Sequence, residues 1–225
     1  MRTVGLGILN LLTPCRCACR YCFLCAGSAA PGVNYARGEA LARRIHAALP
    51  TLPINYTCGY CYDYPQLARN IAFNREHGFA GAGYLQVNGI GMRTPEDLCA
   101  WLSELKDAGA HNVDATFYGL EETHDAFAGR RGDFQLLLRI LRAARELGFH
   151  SHATFPITEE NKNELAPLLD LLEDEGCTRH YGCLPDHRGR GALLEDIRLT
   201  QASRESLPER VRASVNWARY QTEVQ

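Results

Sequence analysis

The chain has 225 residues, 46% apolar and 22% charged, with a formal net charge of −2. These values describe one soluble globular domain with a sizeable core, and the near-neutral charge argues against nucleic acid as the main partner. No stretch approaches the ~18–20 apolar residues of a membrane-spanning helix, so no membrane role is expected.

Five of the ten cysteines crowd between Cys15 and Cys25. A chain of this length needs no disulfide staples, so a reducing, cytoplasmic setting is expected. Arg2, an apolar run over 4–12 and Leu12-Thr13-Pro14-Cys15 have some features of a signal peptide or lipoprotein cleavage site. Pro14 stands where a small residue belongs and the run is short, so a buried strand entering a loop is the better reading.

Residues 4–9 predict that first strand, and the cysteine-rich loop follows. Leu41, Ile45 and Leu49 place a helix over 38–49. A second strand over 54–57 leads to a helix over 64–76, ended by Gly78, and a third strand covers 84–88. Thr94, Pro95, Glu96 and Asp97 open a helix with an N-cap and a proline in the first turn, ending near Gly109. A fourth strand over 112–117 is followed by a polar loop and a long helix over 134–147. The fifth strand (149–155), its helix (163–175) and a sixth strand (178–184) complete the pattern. Such alternation predicts an α/β fold with a parallel sheet and right-handed crossovers. A core over 1–199 and a polar, helical tail over 200–225 are expected.

Cys15, Cys19 and Cys22 have the spacing C-x3-C-x2-C, with Tyr21 before the last cysteine. Iron–sulfur clusters are held by cysteine thiolates, and a loop supplying three leaves one iron open for chemistry. On this motif the chain resembles the radical S-adenosylmethionine (SAM) superfamily. Val87-Asn88-Gly89 is similar to the segment ending the third strand in many relatives. His124-Asp125, Arg131-Gly132 and Phe134 resemble the loop after the fourth strand in the branch that includes molybdenum-cofactor synthesis and peptide-maturation enzymes. Ile157-Thr158, Asn161 and Glu164-Leu165 resemble that branch's fifth-strand exit. The resemblance implies an open (β/α)6 partial TIM barrel of the radical SAM type, with chemistry at the C-terminal ends of the strands.

Two departures stand out. Relatives carry Gly-Gly-Glu-Pro after the second strand; here the place reads Cys58-Gly59-Tyr60-Cys61-Tyr62-Asp63-Tyr64-Pro65. Many relatives in the branch also add a cysteine-rich C-terminal domain, whereas this chain reads as a minimal enzyme or a shortened copy.

The resemblance implies that Cys15, Cys19 and Cys22 hold a [4Fe-4S] cluster whose open iron is chelated by SAM. Electron transfer would cleave SAM to a 5′-deoxyadenosyl radical that takes hydrogen from an unidentified substrate, either a peptide or a small molecule. Tyr21, Gly59, Tyr60, Asn88 and Asn161 are the expected cofactor-binding residues. A flavodoxin or ferredoxin is the expected electron donor. A degenerate homologue that no longer cleaves SAM is the rival within the class. The ferredoxin-like run Cys19, Cys22, Cys25 supports a second rival, an iron–sulfur electron-transfer or binding module.

Several residues carry two readings. Cys17 and Cys25 are surplus to the ligand set. Cys58 and Cys61 either bind metal, form a redox pair or touch substrate, or else fill space. Arg16 and Arg20 either lower the thiol pKa values or are solvated. His150 and His152 share one face of the fifth strand, as cofactor or substrate contacts or as structural histidines. Gly189-Arg190-Gly191 is either a backbone approach to SAM or an anion, or an ordinary turn. Asp125 and Arg130 are expected to pair. Leu207, Val211 and Val215 predict a tail helix against the barrel's outside or edge.

Overall fold

The computed structural model describes residues 6–9, 14–27, 35–52, 54–57, 63–77 and 83–220. Its strands are β1 (Leu6–Leu9), β2 (Ile54–Thr57), β3 (Tyr84–Gln86), β4 (Asn112–Thr116), β5 (His150–Pro156) and β6 (Arg179–Cys183). Its helices are α1 (Tyr35–Ala48), α2 (Leu67–Glu76), α3 (Pro95–Ala108), α4 (Glu121–Ala128), α5 (Asp133–Glu146), α6 (Leu165–Asp174), α7 (Gln201–Ser206) and α8 (Glu209–Ala213). Short 3-10 turns lie at Gly189–Leu193, Glu195–Ile197 and Trp217–Tyr220.

Every strand pairing is parallel and joins strands consecutive in the chain. This is the winding of a (β/α)6 partial barrel. One continuous six-stranded sheet is not formed among the described residues. β1 and β2 make a two-stranded sheet, and β3 to β6 make a four-stranded one. β3 is only three residues long and offers β2 few ladder positions.

The helix signals in the sequence act locally. The Thr94 hydroxyl accepts the Asp97 N–H at 3.1 Å, and Pro95 needs no partner in the first turn of α3. α4 occupies what reads as a polar loop. Its cap comes from far away: Glu164 accepts the Leu120 N–H at 2.7 Å and the Thr123 hydroxyl at 2.6 Å.

Alternate strand residues face opposite ways. On the outer face Leu85, Val113, Ala115, Ala153 and Phe155 are buried with Leu102 of α3, Leu141 of α5 and Leu168 of α6. The opposite, inner face carries Tyr84, Gln86, Asp114, His152, Thr154 and Tyr181. Contacts across it are polar or aromatic: His152 lies 5.5 Å from the Tyr84 ring and 6.0 Å from the Tyr181 ring. His150 and His152 therefore sit on the inner face.

The tail does not form one helix, because Pro208 breaks it into α7 and α8. Leu207, Val211, Val215 and Tyr220 join the outer core. The Gly182 N–H donates to the Ser214 carbonyl at 3.1 Å, and a bridge to Val215 extends the ladder beyond β6. A Cβ on Gly182 would lie 2.5 Å from Val215 Cγ2. Among the described residues no helix is long and apolar enough to cross a membrane.

Two substitutions test this packing in urea unfolding. Leu141→Ala, in the outer core, is expected to cost about 2–5 kcal/mol. Gly182→Ala is expected to cost about 1–3 kcal/mol by pushing the tail from β6. A Gly182→Ala variant as stable as the parent would show that the tail does not press on β6.

Candidate cofactor site at the barrel mouth

The cysteine loop, residues 14–27, has no helix or strand of its own, so other elements must satisfy its backbone. It closes on itself through Cys15 N–H to the Gly27 carbonyl, 3.0 Å. Arg16 N–H donates to Gly89 beyond β3 at 2.8 Å. Ala18 and Arg20 N–H groups donate to Ala128 and Phe127 at the end of α4, at 2.9 and 3.0 Å. Beyond β6, Arg190 N–H donates to the Cys22 carbonyl at 3.0 Å. All these anchors lie after strand C-termini, so the loop sits at the C-terminal mouth.

Within the loop Cys17 and Cys19 are buried, Cys15 and Cys22 half-buried, and Cys25 exposed. Cys25 holds a left-handed turn at φ 52°. Hydrogen bonding to Cys17 and then to Tyr118 lowers the Cys19 thiol pKa against the opposing effect of burial. The Cys17 thiol is pushed up by hydrogen bonds to Cys15 and Cys19 and by burial. The Cys22 sulfur accepts the Ala26 N–H at 3.4 Å. This donor set fits an iron–sulfur cluster, whose sulfur ligands are tuned by such hydrogen bonds. A cuboidal cluster takes each thiolate at a different iron. Among the described residues no three His, Cys, Asp or Glu side chains gather to hold a single metal ion, Cys15, Cys19 and Cys22 included.

Aromatic rings back the loop. Tyr21 lies 5.2 Å from Tyr118 and 6.4 Å from Phe127. Tyr118, which sequence reasoning missed, is fully buried at the end of β4, and burial raises its hydroxyl pKa. His124 stacks on it at 5.2 Å. The Tyr118 N–H donates to His124 Nδ1 at 3.2 Å, so Nε2 carries the proton toward Asp133 at 3.1 Å. Histidine and aspartate are both wholly buried. His124 and Asp133 lie within the stretch singled out after the fourth strand, but spacing does not show that they meet.

The expected contacts are distributed as follows. Asn88 accepts the Thr116 N–H at 2.6 Å and donates to its carbonyl at 2.8 Å, joining the ends of β3 and β4. The buried Asn161 amide accepts from Thr158 N–H at 2.8 Å and donates to Tyr118 and Pro156 carbonyls at 2.9 and 2.7 Å. Both asparagines shape the backbone around the mouth. Cys58, Gly59, Tyr60 and Cys61 lie outside the described residues.

Arg20 is exposed and pairs with Glu160 at 2.6 Å, in line with the solvated reading. One expectation is corrected: the Asp125 and Arg130 side chains do not pair. Asp125 caps α5 through the Gly132 and Phe134 N–H groups, while Arg130 donates to the Ile90 carbonyl at 2.6 Å. Gly189-Arg190-Gly191 opens a short 3-10 turn that packs on the cysteine loop.

On the inner face burial raises Asp114 to about 6, opposed by a hydrogen bond from the Thr154 hydroxyl at 3.4 Å. Burial, then Arg179 and His150, lower the pKa of His152. The buried Cys177 thiol and the half-buried Cys183 thiol are each pushed up to about 12, chiefly by desolvation.

No family model matches the chain. Fe-coproporphyrin III synthase of Methanosarcina barkeri is 29% identical over 142 residues, 62% of this chain and 33% of that protein. Pre-heme d1 synthase of Dinoroseobacter shibae is 30% identical over 107 residues, 48% and 25% of the two chains. The matched stretch spans a third or less of these curated relatives. Streptococcus suis SuiB, solved with its precursor peptide SuiA, has a TM-score of 0.60 at 15% identity, over 82% of this chain and 40% of that one. Escherichia coli coproporphyrinogen III oxidase HemN, described as a radical SAM enzyme, has a TM-score of 0.52 at 16% identity, over 96% and 52%. The fold is that of solved radical SAM enzymes such as HemN, and the sequence is similar to the two curated synthases.

Asp114 gives a pH test. Its raised folded-state pKa means that ionisation opposes folding, so its penalty grows as pH rises from about 4 through about 6. Asp114→Asn should add up to about 3 kcal/mol of stability at pH 8 and little near pH 4. Urea midpoints across that range check this, and an equal gain at both ends would show an unperturbed carboxyl.

Proposed function

We propose that this chain is the core of a radical SAM enzyme in which Cys15, Cys19 and Cys22 hold a [4Fe-4S] cluster. The observation that carries the reading is a three-cysteine loop, fixed by backbone bonds at the C-terminal mouth of a parallel partial barrel. Bound there, the cluster and SAM supply reductive cleavage of SAM to a 5′-deoxyadenosyl radical that abstracts hydrogen from substrate.

The chain's own residues prepare that site. Hydrogen bonds from Cys17 and Tyr118 favour the Cys19 thiolate, the form that binds metal. Tyr21, Tyr118 and Phe127 wall the loop and exclude water from one side. Asn88 and Asn161 fix the strand exits around it. Tyr21, Gly59 and Tyr60 are assigned to the SAM side, and a flavodoxin or ferredoxin to electron supply.

Two substrate classes draw support from similar proteins. A peptide is supported by the SuiB complex with SuiA. A tetrapyrrole is supported by the names of both curated relatives. Production of 5′-deoxyadenosine with precursor-type peptides or with coproporphyrin III separates these readings.

Anaerobic reconstitution tests the ligand set through iron content and charge-transfer absorption. Cys15→Ala, Cys19→Ala and Cys22→Ala are expected to lose the cluster, and Cys17→Ala and Cys25→Ala to keep it. If Cys17→Ala loses it while Cys15→Ala keeps it, the assignment is wrong. SAM should also perturb the EPR signal of the reduced protein. An unchanged signal at saturating SAM would leave the degenerate homologue or the electron-transfer module.

A further inference from the structure

We propose that Arg190 is a positioning residue for the cluster. It clamps the cysteine loop through backbone carbonyls and holds an uncompensated positive charge on the loop that carries Cys19 and Cys22. This rests on the cluster reading above.

Three carbonyls around Cys22 converge on this one residue. Arg190 Nε donates to the Cys19 carbonyl at 2.8 Å and Nη2 to the Ala26 carbonyl at 3.0 Å. Its backbone N–H takes the Cys22 carbonyl at 3.0 Å. Cys19 and Ala26 lie on either side of Cys22, so a single planar fork spans the half of the loop that carries two of the three thiols. A lysine ammonium, a point charge without the fork, does not reproduce this geometry.

The flanking glycines show how tightly the clamp is pressed on. A Cβ on Gly189, which has φ +58°, would lie 2.4 Å from the Phe23 carbonyl oxygen. One on Gly191 would lie 2.3 Å from the Asp186 carbonyl oxygen and 3.1 Å from that of Tyr21. Arg198 holds the clamp from behind, donating to the Gly191 and Pro185 carbonyls at 2.8 and 2.7 Å, and is itself paired with Glu195 at 2.7 Å.

The charge of Arg190 differs from that of Arg20, Arg188 and Arg198. Arg20, Arg188 and Arg198 each pair with a carboxylate. Among the described residues no carboxylate pairs with Arg190, whose guanidinium bonds go to neutral carbonyls. A cation held there favours the more negative, reduced cluster. Cluster potential depends on net charge and hydrogen bonding in this way.

Arg190→Gln and Arg190→Lys in the full chain test the proposal at two levels. Without iron, peptide-resolved alkylation of Cys22 by iodoacetamide reads the clamp alone. Both variants should react faster than the parent. After reconstitution, both should lose iron to a chelator roughly 10–100-fold more readily. An EPR-monitored redox titration should give Arg190→Gln a more negative midpoint than the parent, with Arg190→Lys close to the parent. Parental alkylation rates in both variants would overturn the clamp, and a parental midpoint in Arg190→Gln would overturn the charge. If Arg190→Gln does not fold, Gly191→Ala gives the alkylation readout and Arg190→Lys the separation of charge from fork. A parent that holds no iron would sink the cluster reading, while alkylation still decides the clamp.

Discussion

An irregular loop can be rigid only if its backbone polar groups find fixed partners. Here the partners of the cysteine loop are the unfinished ends of other elements. The last carbonyls of any helix lack intrahelical donors. In α4 those of Phe127 and Ala128 receive the Arg20 and Ala18 N–H groups. Helix end and loop satisfy each other, so the position of the loop is set by whatever sets α4.

α4 is itself set from a distance. Glu164, at the threshold of α6, caps its N-terminus. Within α4, His124 is wholly buried against Asp133 at the start of α5, and both lie beneath Tyr118. Asn161 then ties the Tyr118 carbonyl to the exit of β5. Buried polar chains of this kind are costly when broken and specific when complete. They explain how residues from β4, α4, α5 and the β5 exit fix one aromatic ring behind a thiol. The family-like segments that the sequence offers separately are here parts of one brace.

What was legible in the sequence is what depends on near neighbours. Apolar alternation located all six strands, and Thr94 with Pro95 marked the start of α3 because a cap acts over three residues. The cysteine spacing was legible for the same reason. α4 was not, since Glu121, Glu122, Thr123 and Asp125 look like loop and its cap lies more than forty residues downstream. Tyr118 escaped notice, and the clamping role of Arg190 was not legible, because their partners are distant in sequence: Arg190 reaches Cys19 across 171 positions. The break in the tail was readable at Pro208, but the helical spacing of Leu207, Val211 and Val215 outweighed it. Those residues are buried through separate short helices instead.

The two faces of the four-stranded sheet differ in kind. Aliphatic and aromatic packing is gathered on the outer face with the helices, whereas the inner face carries carboxyl, imidazole, hydroxyl and phenol groups. A closed TIM barrel fills its interior with layers of branched aliphatic side chains and makes that interior part of its core. Here the core lies outside the curve of the sheet, so inner-face side chains are not what keeps the strands together. Selection can therefore redraw the inner face, position by position, without opening that core. A scaffold divided in this way lets the chemistry of one face drift over evolutionary time while its cysteine loop stays where it is.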